Sequence, residues 1–411
     1  MELSDDFSFQ RLETTDDIEQ HLDLMRKVFG EKSRVDIMVK KWVDHHPTMT
    51  LKDFFVAKHR GRTVAALCLI PSEWCIGEIP LKVAELGCVA TLAEYRHRGL
   101  QRELMTEYHK RVLEQGYDLS VIEGIPYFYR QFEYEYALPL DEQARIRLDE
   151  IPDYECAHTI RPFASHDVPK AMELLAQSQL KFYVHDVRGE GIWKMQQETR
   201  IAAEYEFEGY SVEQEGHMVA YFRMSQNPDN KELVLREITD VNQFTARSIL
   251  RFVKETGLRR GLENLVCTTS HHEPFLKFLA ETGRVEQPQP YAWQIRVTDC
   301  LTMLRKMKTL FGKRLESSAY SHLTEKLSLS FYRYSVLLTI EKGAIIDIQR
   351  LESGEDRVAR FNPTVFTQLL LGYRSREELE RTYPDFIVRP SHKGLIDVLF
   401  PKLPSYIHTA Y

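Results

Sequence analysis

The feature that most constrains this chain is that it repeats itself. Residues 7–29, "FSFQRLETTDDIEQHLDLMRKVF", read as a short strand, a Thr/Asp cap and an amphipathic helix. Ile18, Leu22, Met25 and Phe29 recur at helical spacing, and Thr14 with Asp17 can form a capping box. About 150 residues later "TIRPFASHDVPKAMELLAQ" returns to the same form. Arg11 aligns with Arg161, Thr15 with Ser165, Asp17 with Asp167, Ile18 with Val168 and Leu24 with Leu174. The hairpin "VAKHRGRTVAAL" (56–67), with Gly61 in its turn, has its counterpart in "VEQEGHMVAYF" (212–222) around Gly216. The strand "VAELGCVAT" (83–91) matches "LVLREITDV" (233–241), with Glu85 opposite Glu237. Elements in one order at a near-constant offset predict two copies of one α+β unit.

The copies part company at one junction. After its central strand the first has "EYRHRGLQREL" and the second "NQFTARSILRF", without a glycine. Further on, "GIPYFYRQFEY" (124–134) faces "HHEPFLKFLA" (271–280), so the tyrosine is lost as well. A helix N-terminus presents unpaired N–H groups and the positive end of its dipole, which together attract an anion. Gly99 lets backbone approach a phosphate closely, and Arg96, Arg98 and Arg102 surround it with positive charge. Leu104, Met105, Tyr108 and Val112 anchor the helix on a core, and Gly116 ends it. The loop lacks the GK[ST] ending of a Walker loop, and "GEGIWK" (189–194) is only a near miss to a dinucleotide fingerprint. The first copy therefore reads as the active one.

From about residue 300 the pattern changes. "YSVLLTIEKGAIIDIQRL" (334–351) reads as a hairpin turning at Lys342-Gly343. "NPTVFTQLLLGY" (362–373) reads as a helix capped by Asn362, begun by Pro363 and stopped by Gly372. Ser375 and Glu378 form a capping box for another helix. The expected division is 1–150, 155–298 and 299–411, a mixed α/β or α+β chain with two related mixed-sheet units and a smaller third.

Composition excludes several alternatives. With 43% hydrophobic and 28% charged residues the chain is an ordinary globular one, and a net charge of −7 gives no basic field for nucleic acid. The start "MELSDDFSFQ" is not a secretory signal, and runs such as Val64–Ile70 are too short to span a bilayer, so no membrane partner is expected. The 6 cysteines lack CxxC spacing and read as reduced thiols of a cytoplasmic protein, with no metal site.

Residues 86–138 resemble the coenzyme-A-binding core of the GNAT N-acetyltransferases. The family pattern [RQ]xxGx[GA] reads here Arg96-His97-Arg98-Gly99-Leu100-Gln101, and the downstream aromatic segment reads "FYRQFEY". The order of units narrows the resemblance to the Eis (enhanced intracellular survival) type. That type has a GNAT unit, a degenerate second one and a C-terminal domain similar to sterol carrier protein 2. The resemblance implies an acetyl-coenzyme-A-dependent N-acetyltransferase that joins acetyl to a small-molecule or peptide primary amine by direct attack in a ternary complex. It also implies a homo-oligomer, a hexamer in that family. Carried over, Val89, Ala90 and Thr91 pair their backbone with the pantetheine arm, and His97, Arg98, Gly99, Leu100, Gln101 and Arg102 hold the pyrophosphate. Tyr129 is the general acid, and the carboxylate of Tyr411 the general base.

Two departures stand out. The family's small sixth loop residue is Gln101, and Glu133 takes the place of a glycine in the turn after Tyr129. If that turn needs a positive φ, glutamate there costs about 1 kcal/mol or more. Glu133 favours the alternative of a non-catalytic acyl-coenzyme-A-binding, or lipid- or partner-binding, protein. Glu85 and Glu123 are the next choices for the base. His271-His272-Glu273 and His45-His46 read as surface loops, because adjacent histidines point apart.

Overall fold

The computed structural model describes residues 6–140, 143–283, 285–286, 291–352 and 358–408. The repeat is real at the level of elements. The first helix, Thr15–Phe29, starts from a capping box in which Thr14 accepts from the Asp17 N–H. In the second copy Asp167 accepts from the Ala164 N–H (2.8 Å) at the corresponding place. Both aspartates are buried and each has a cation, Lys58 for Asp17 and Arg161 for Asp167. The hairpins turn at Gly61 (φ 81°) and Gly216 (φ 79°), a backbone conformation that glycine adopts without strain.

Each copy builds its own sheet. The first has 8 strands, running Phe7–Arg11, Phe54–His59, Arg62–Ile76, Ile79–Thr91, Leu119–Ile122, Tyr291–Val297 and Glu135–Leu140, with Val184–Asp186 paired to the long third strand. The second has 6, running Ala144–Arg147, Asn264–Cys267, Glu232–Ile238, His217–Asn227, Glu208–Gln214 and Thr159–Pro162. Three strands thus depart from the expected division at 150/155 and 298/299, Val184–Asp186 in the first sheet being one of them. Ala144–Arg147 sits in the second sheet, and Tyr291–Val297 in the first. Each fills the place beside its sheet's short parallel strand, antiparallel to it. Trp293 and Ile295 are buried there with Leu119, Val121 and Leu138, so the exchange is held by core packing as well as by ladder hydrogen bonds.

The segment after Val297 carries a 5-stranded sheet, Ala344–Leu351, Ser335–Glu341, Glu325–Ser330, Ala359–Arg360 and Ile387–Val388. Its hairpin turns at Lys342 (φ 48°) and Gly343 (φ 78°). Helix Pro363–Leu370 is capped by Asn362, and helix Arg376–Thr382 begins with the Ser375/Glu378 box. This unit shares one core with the far end of the first sheet, where Met303, Phe311 and Leu338 pack with Trp74 and Val83. Among the described residues no helix is long and apolar enough to cross a membrane.

The last described residues form an extended tail between the units. The Pro404 carbonyl accepts from the Tyr183 N–H (2.7 Å), and the Tyr406 N–H donates to the Val184 carbonyl (3.0 Å). The His408 N–H then reaches Asp186 (2.7 Å). Tyr411 lies outside the described residues. Two surface-loop expectations are corrected here. Glu273 is buried and paired with Lys181 (2.7 Å), and the His46 ring is buried with Nδ1 accepting from the Met49 N–H (3.0 Å). In each case a partner, distant in sequence for Glu273 and local for His46, compensates the burial of a polar group.

Candidate active site

The site starts where two strands separate. Strands Ile79–Thr91 and Leu119–Ile122 pair in parallel only from Val83 to Glu85, against Leu119 to Val121. Beyond Glu85 the first strand continues to Thr91 paired with Arg62–Ile76 on its other side, leaving its edge from Leu86 onward without this neighbour. A bulge interrupts the ladder on its other side between Ala66 and Cys68, and Cys88 takes φ 52° there. A row of backbone N–H and C=O groups along such an edge can pair with an extended, amide-bearing ligand.

A buried polar chain holds the two strands at this divergence. The Tyr108 hydroxyl donates to the Ala84 carbonyl (3.1 Å) and meets Ser120 Oγ (2.8 Å), which in turn meets the Tyr134 hydroxyl (2.6 Å). The chain links the central strand, the following helix and the parallel strand. Tyr108 reads from the sequence as one more apolar position of its helix; its polar tip carries the added role.

The helix Leu100–Glu114 opens at Gly99 (φ 82°), and no side chain caps it. Its counterpart Gln243–Arg259 is capped by Asn242, whose side chain accepts from the Thr245 N–H (2.9 Å). The second copy therefore satisfies its own helix end, while the first leaves N–H groups available to an anion. His97 (φ 62°) and Gly99 curl the preceding loop, and Arg96, Arg98 and Arg102 are exposed around it. Leu100 is buried in the core, so only its backbone can serve a ligand. The Gln101 amide turns inward and donates to the Ala90 carbonyl (2.7 Å) and Thr91 Oγ1 (3.0 Å). It fastens helix to strand, which explains why a larger residue is tolerated there.

Tyr129 lies in the short helical turn Phe128–Phe132, 4% exposed and packed edge-on against Phe128 and Tyr134. Burial, with Tyr134 and Tyr291 nearby, pushes its phenol well above the ordinary range, so it stays protonated at neutral pH. Gly124 makes room for it, because a Cβ at Gly124 would fall inside contact distance of the Tyr129 ring. Glu133 takes φ 67°, ψ 22°, the left-handed turn that a glycine would adopt freely. Its carboxylate is held by Arg296 (3.0 Å), on the strand contributed from the second segment. From that strand Gln294 and Tyr291 donate to the Gly124 carbonyl (2.8 and 2.7 Å). Both ends of the tyrosine segment are thus gripped by residues more than 160 positions away. Sequence spacing carries no signal for them.

These parts converge on one cavity of about 1060 Å³. Val89, Thr91, His97, Arg98, Gly99, Leu100, Gln101, Arg102 and Tyr129 all line it, as do Glu85 and Glu123; Ala90 lies beneath the surface. Glu85 is cross-strand from Ile70, another lining residue. The sister position is different. Glu237 is cross-strand from Arg223, bound bidentately by Arg188 (3.1 and 2.6 Å), and accepts from the Tyr221 hydroxyl (2.8 Å). The positive charge of Arg188 and Arg223 outweighs burial and holds that carboxyl well below the usual range. In the second copy the acid is a structural ion pair; in the first it faces a cavity.

Residues 10–137 match the family model of the acetyltransferase (GNAT) domain. No curated protein sequence matches the chain. The whole fold is similar to that of a GCN5-related N-acetyltransferase from Anabaena variabilis, at 16% identity, TM-score 0.75, 98% of this chain and 100% of that one. A protein from Enterococcus faecalis described as a probable N-acyltransferase gives the same values. Eis1 from Mycobacterium abscessus aligns at 12% identity, TM-score 0.66, 98% of this chain and 100% of that one. At these identities the likeness is one of fold, and the segment that matches the GNAT model carries every described lining residue of the cavity but Glu204.

Proposed function

We propose that the protein transfers acetyl from acetyl-coenzyme A to a primary amine by direct attack in a ternary complex. The observation that carries this reading is the asymmetry between copies. One helix end is uncapped beside an open strand edge and a protonated tyrosine; its sister is capped, and its acid is internally paired. The N–H groups at Gly99 and after, with Arg96, Arg98 and Arg102, take the pyrophosphate, and the edge from Val89 to Thr91 pairs with the pantetheine amides. A backbone N–H of that edge polarises the thioester carbonyl as the amine nitrogen attacks it. The tetrahedral intermediate collapses with loss of the thiolate, which Tyr129 protonates.

The base that takes the amine proton is the Tyr411 carboxylate in this proposal, with Glu85 or Glu123 as the choice within the cavity. The described tail runs in the same sense as Val184–Asp186, whose partner strand leads from Ile76 back toward Ile70 at the cavity. The same proposal includes the division into catalytic unit, second unit and sterol-carrier-protein-2-like unit, amended by the strand exchange. It also includes a homo-oligomeric, cytoplasmic protein. Tyr129→Phe tests the chemistry. It should lose most turnover, read as thiol release from acetyl-coenzyme A with an amine panel, and keep its affinity for coenzyme A. Undiminished turnover would remove Tyr129 from the mechanism. Extending the chain beyond Tyr411 should impair turnover, and normal rates would transfer the base role to Glu85 or Glu123.

A further inference from the structure

We infer that the acceptor is a primary amine on an apolar body, of the arylalkyl or long-alkyl class, rather than a polycation; this rests on the acetyl transfer proposed above. The cavity divides its chemistry by wall. Among the described residues its arginines, Arg96, Arg98 and Arg102, belong to the coenzyme loop and the first turn of the helix that follows it. Away from that loop, Phe29, Val35, Met38 and Trp42, from helices Thr15–Phe29 and Val35–His45, form one wall. Phe128 and Phe132, on either side of Tyr129 in its helical turn, contribute a second apolar surface. The carboxylates are Glu85, where the two parallel strands part, and Glu123, just past the end of Leu119–Ile122, with Glu204 of the second segment also facing Lys41.

One ammonium near Glu85 and Glu123 is matched by charge, and the body attached to it meets hydrocarbon. A second or third ammonium laid against Phe29, Val35, Met38, Phe128 or Phe132 would meet side chains that offer it no hydrogen bond, at a desolvation cost. Phe29 supports an acceptor role for this wall. Its helical spacing predicts a core position, yet it is 40% exposed and lines the cavity. Large apolar side chains exposed within a cavity are where a ligand's apolar part is bound.

The test compares kcat/KM for 2-phenylethylamine, ethanolamine and spermidine at saturating acetyl-coenzyme A. Burying one ring against this wall should favour phenylethylamine over ethanolamine by about a hundredfold, and it should exceed spermidine. Phe29→Asp should cut the phenylethylamine value about tenfold and raise that for spermidine. Spermidine equal to or better than phenylethylamine in the unaltered protein would overturn the inference. So would octanoyl-coenzyme A with ethanolamine outrunning acetyl-coenzyme A with phenylethylamine, since the wall would then hold the acyl chain. Calorimetry on the coenzyme A complex separates the two levels. If no amine turns over but phenylethylamine binds more tightly than spermidine, the transfer reaction fails and the ligand class stands. If spermidine binds as tightly or more tightly, or neither binds, the ligand class fails.

Discussion

Replacing Gly124 by alanine isolates the placement of Tyr129 from its chemistry. Gly124 has no need of a left-handed backbone; what it supplies is space. An added Cβ would fall far inside the roughly 3.5–4.0 Å at which carbon atoms meet, against the near edge of the Tyr129 ring. Gln294 Nε2 stands 3.0 Å away on another side, and that amide already donates to the Gly124 carbonyl. The ring itself is packed between Phe128 and Tyr134, so relief requires a shift of ring or loop of about 1 Å. A displacement of that size in an acid group costs about a hundredfold in rate, within the range of about 10²–10⁴ for losing the acid altogether. Gly124→Ala should therefore lower kcat for thiol release about a hundredfold, with coenzyme A affinity unchanged, because the 96–102 loop is untouched. The cost to stability should be about 1–3 kcal/mol from overpacking. On a Tyr129→Phe background the same change should have little further effect on rate, as expected for two changes acting through one group. Full turnover by Gly124→Ala, or additive losses in the double variant, would refute this reasoning.

Three further outcomes follow from individual residues. Glu133→Gly relieves a left-handed glutamate worth about 1 kcal/mol and gives up a largely exposed pair with Arg296 worth about 0–1 kcal/mol. Thermal unfolding should thus change little and turnover persist, whereas a loss above about 2 kcal/mol would show the ion pair to be essential. Gly99→Ala meets open space, so its whole effect is the strained φ of 82°; coenzyme A should bind about fivefold more weakly by calorimetry, and an unchanged affinity would remove the loop from the binding site. His408 is lowered by burial but raised more strongly by Asp186, Glu237 and Glu273, so its folded pKa lies above the usual 6.5. Its stabilisation is fully present below pH 6.5 and lost as pH rises through the raised value. His408→Gln should cost more stability in urea at about pH 6 than at about pH 9, and an equal cost at both would refute the charged form.

The sequence reads well where information is local. The duplicated helix starts, the glycine turns and the caps at Asn362 and Ser375 follow from backbone needs that a few neighbouring residues satisfy. The coenzyme loop is legible for the same reason, since a strand, a left-handed glycine and an amphipathic helix are consecutive. What escapes is pairing across distance. The alternation of "YAWQIRV" announces a strand and its inward Trp293 and Ile295, but nothing in it says which sheet it joins. Glu273 looks like a loop residue until Lys181 is brought to it, and Phe29 looks like core until its helix ends at the cavity. Glu85 and Glu237 are equivalent in sequence, but Arg188, which binds Glu237, comes from a segment outside the repeat pattern.

The strand exchange has a consequence for what the catalytic unit is. Residues 1–150 contain the coenzyme loop, Gly124 and Tyr129, and they are the segment a repeat-based division would isolate. Within the fold that segment lacks Tyr291–Val297, which lies between Leu119–Ile122 and Glu135–Leu140 and pairs with both. Without it both strands lose ladder partners along one edge, and Leu119, Val121 and Leu138 lose the cover of Trp293 and Ile295. Burying two such side chains contributes about 1.5–3 kcal/mol each, and the exposed edges favour self-association. The sum over both side chains, about 3–6 kcal/mol, is a large share of the stability of an ordinary domain, about 5–15 kcal/mol. The loss falls on the chemistry too, since Gln294, Tyr291 and Arg296 fix Gly124 and Glu133 at the two ends of the tyrosine segment. Residues 1–150 expressed alone should therefore be aggregated or unfolded by circular dichroism and size-exclusion chromatography. Addition of a peptide spanning 291–297 should recover part of the fold, as it restores the missing strand between Leu119–Ile122 and Glu135–Leu140. A monomeric, cooperatively folding 1–150 fragment with normal turnover would show instead that the first sheet closes on itself, and that the long-range grip on Tyr129 is dispensable.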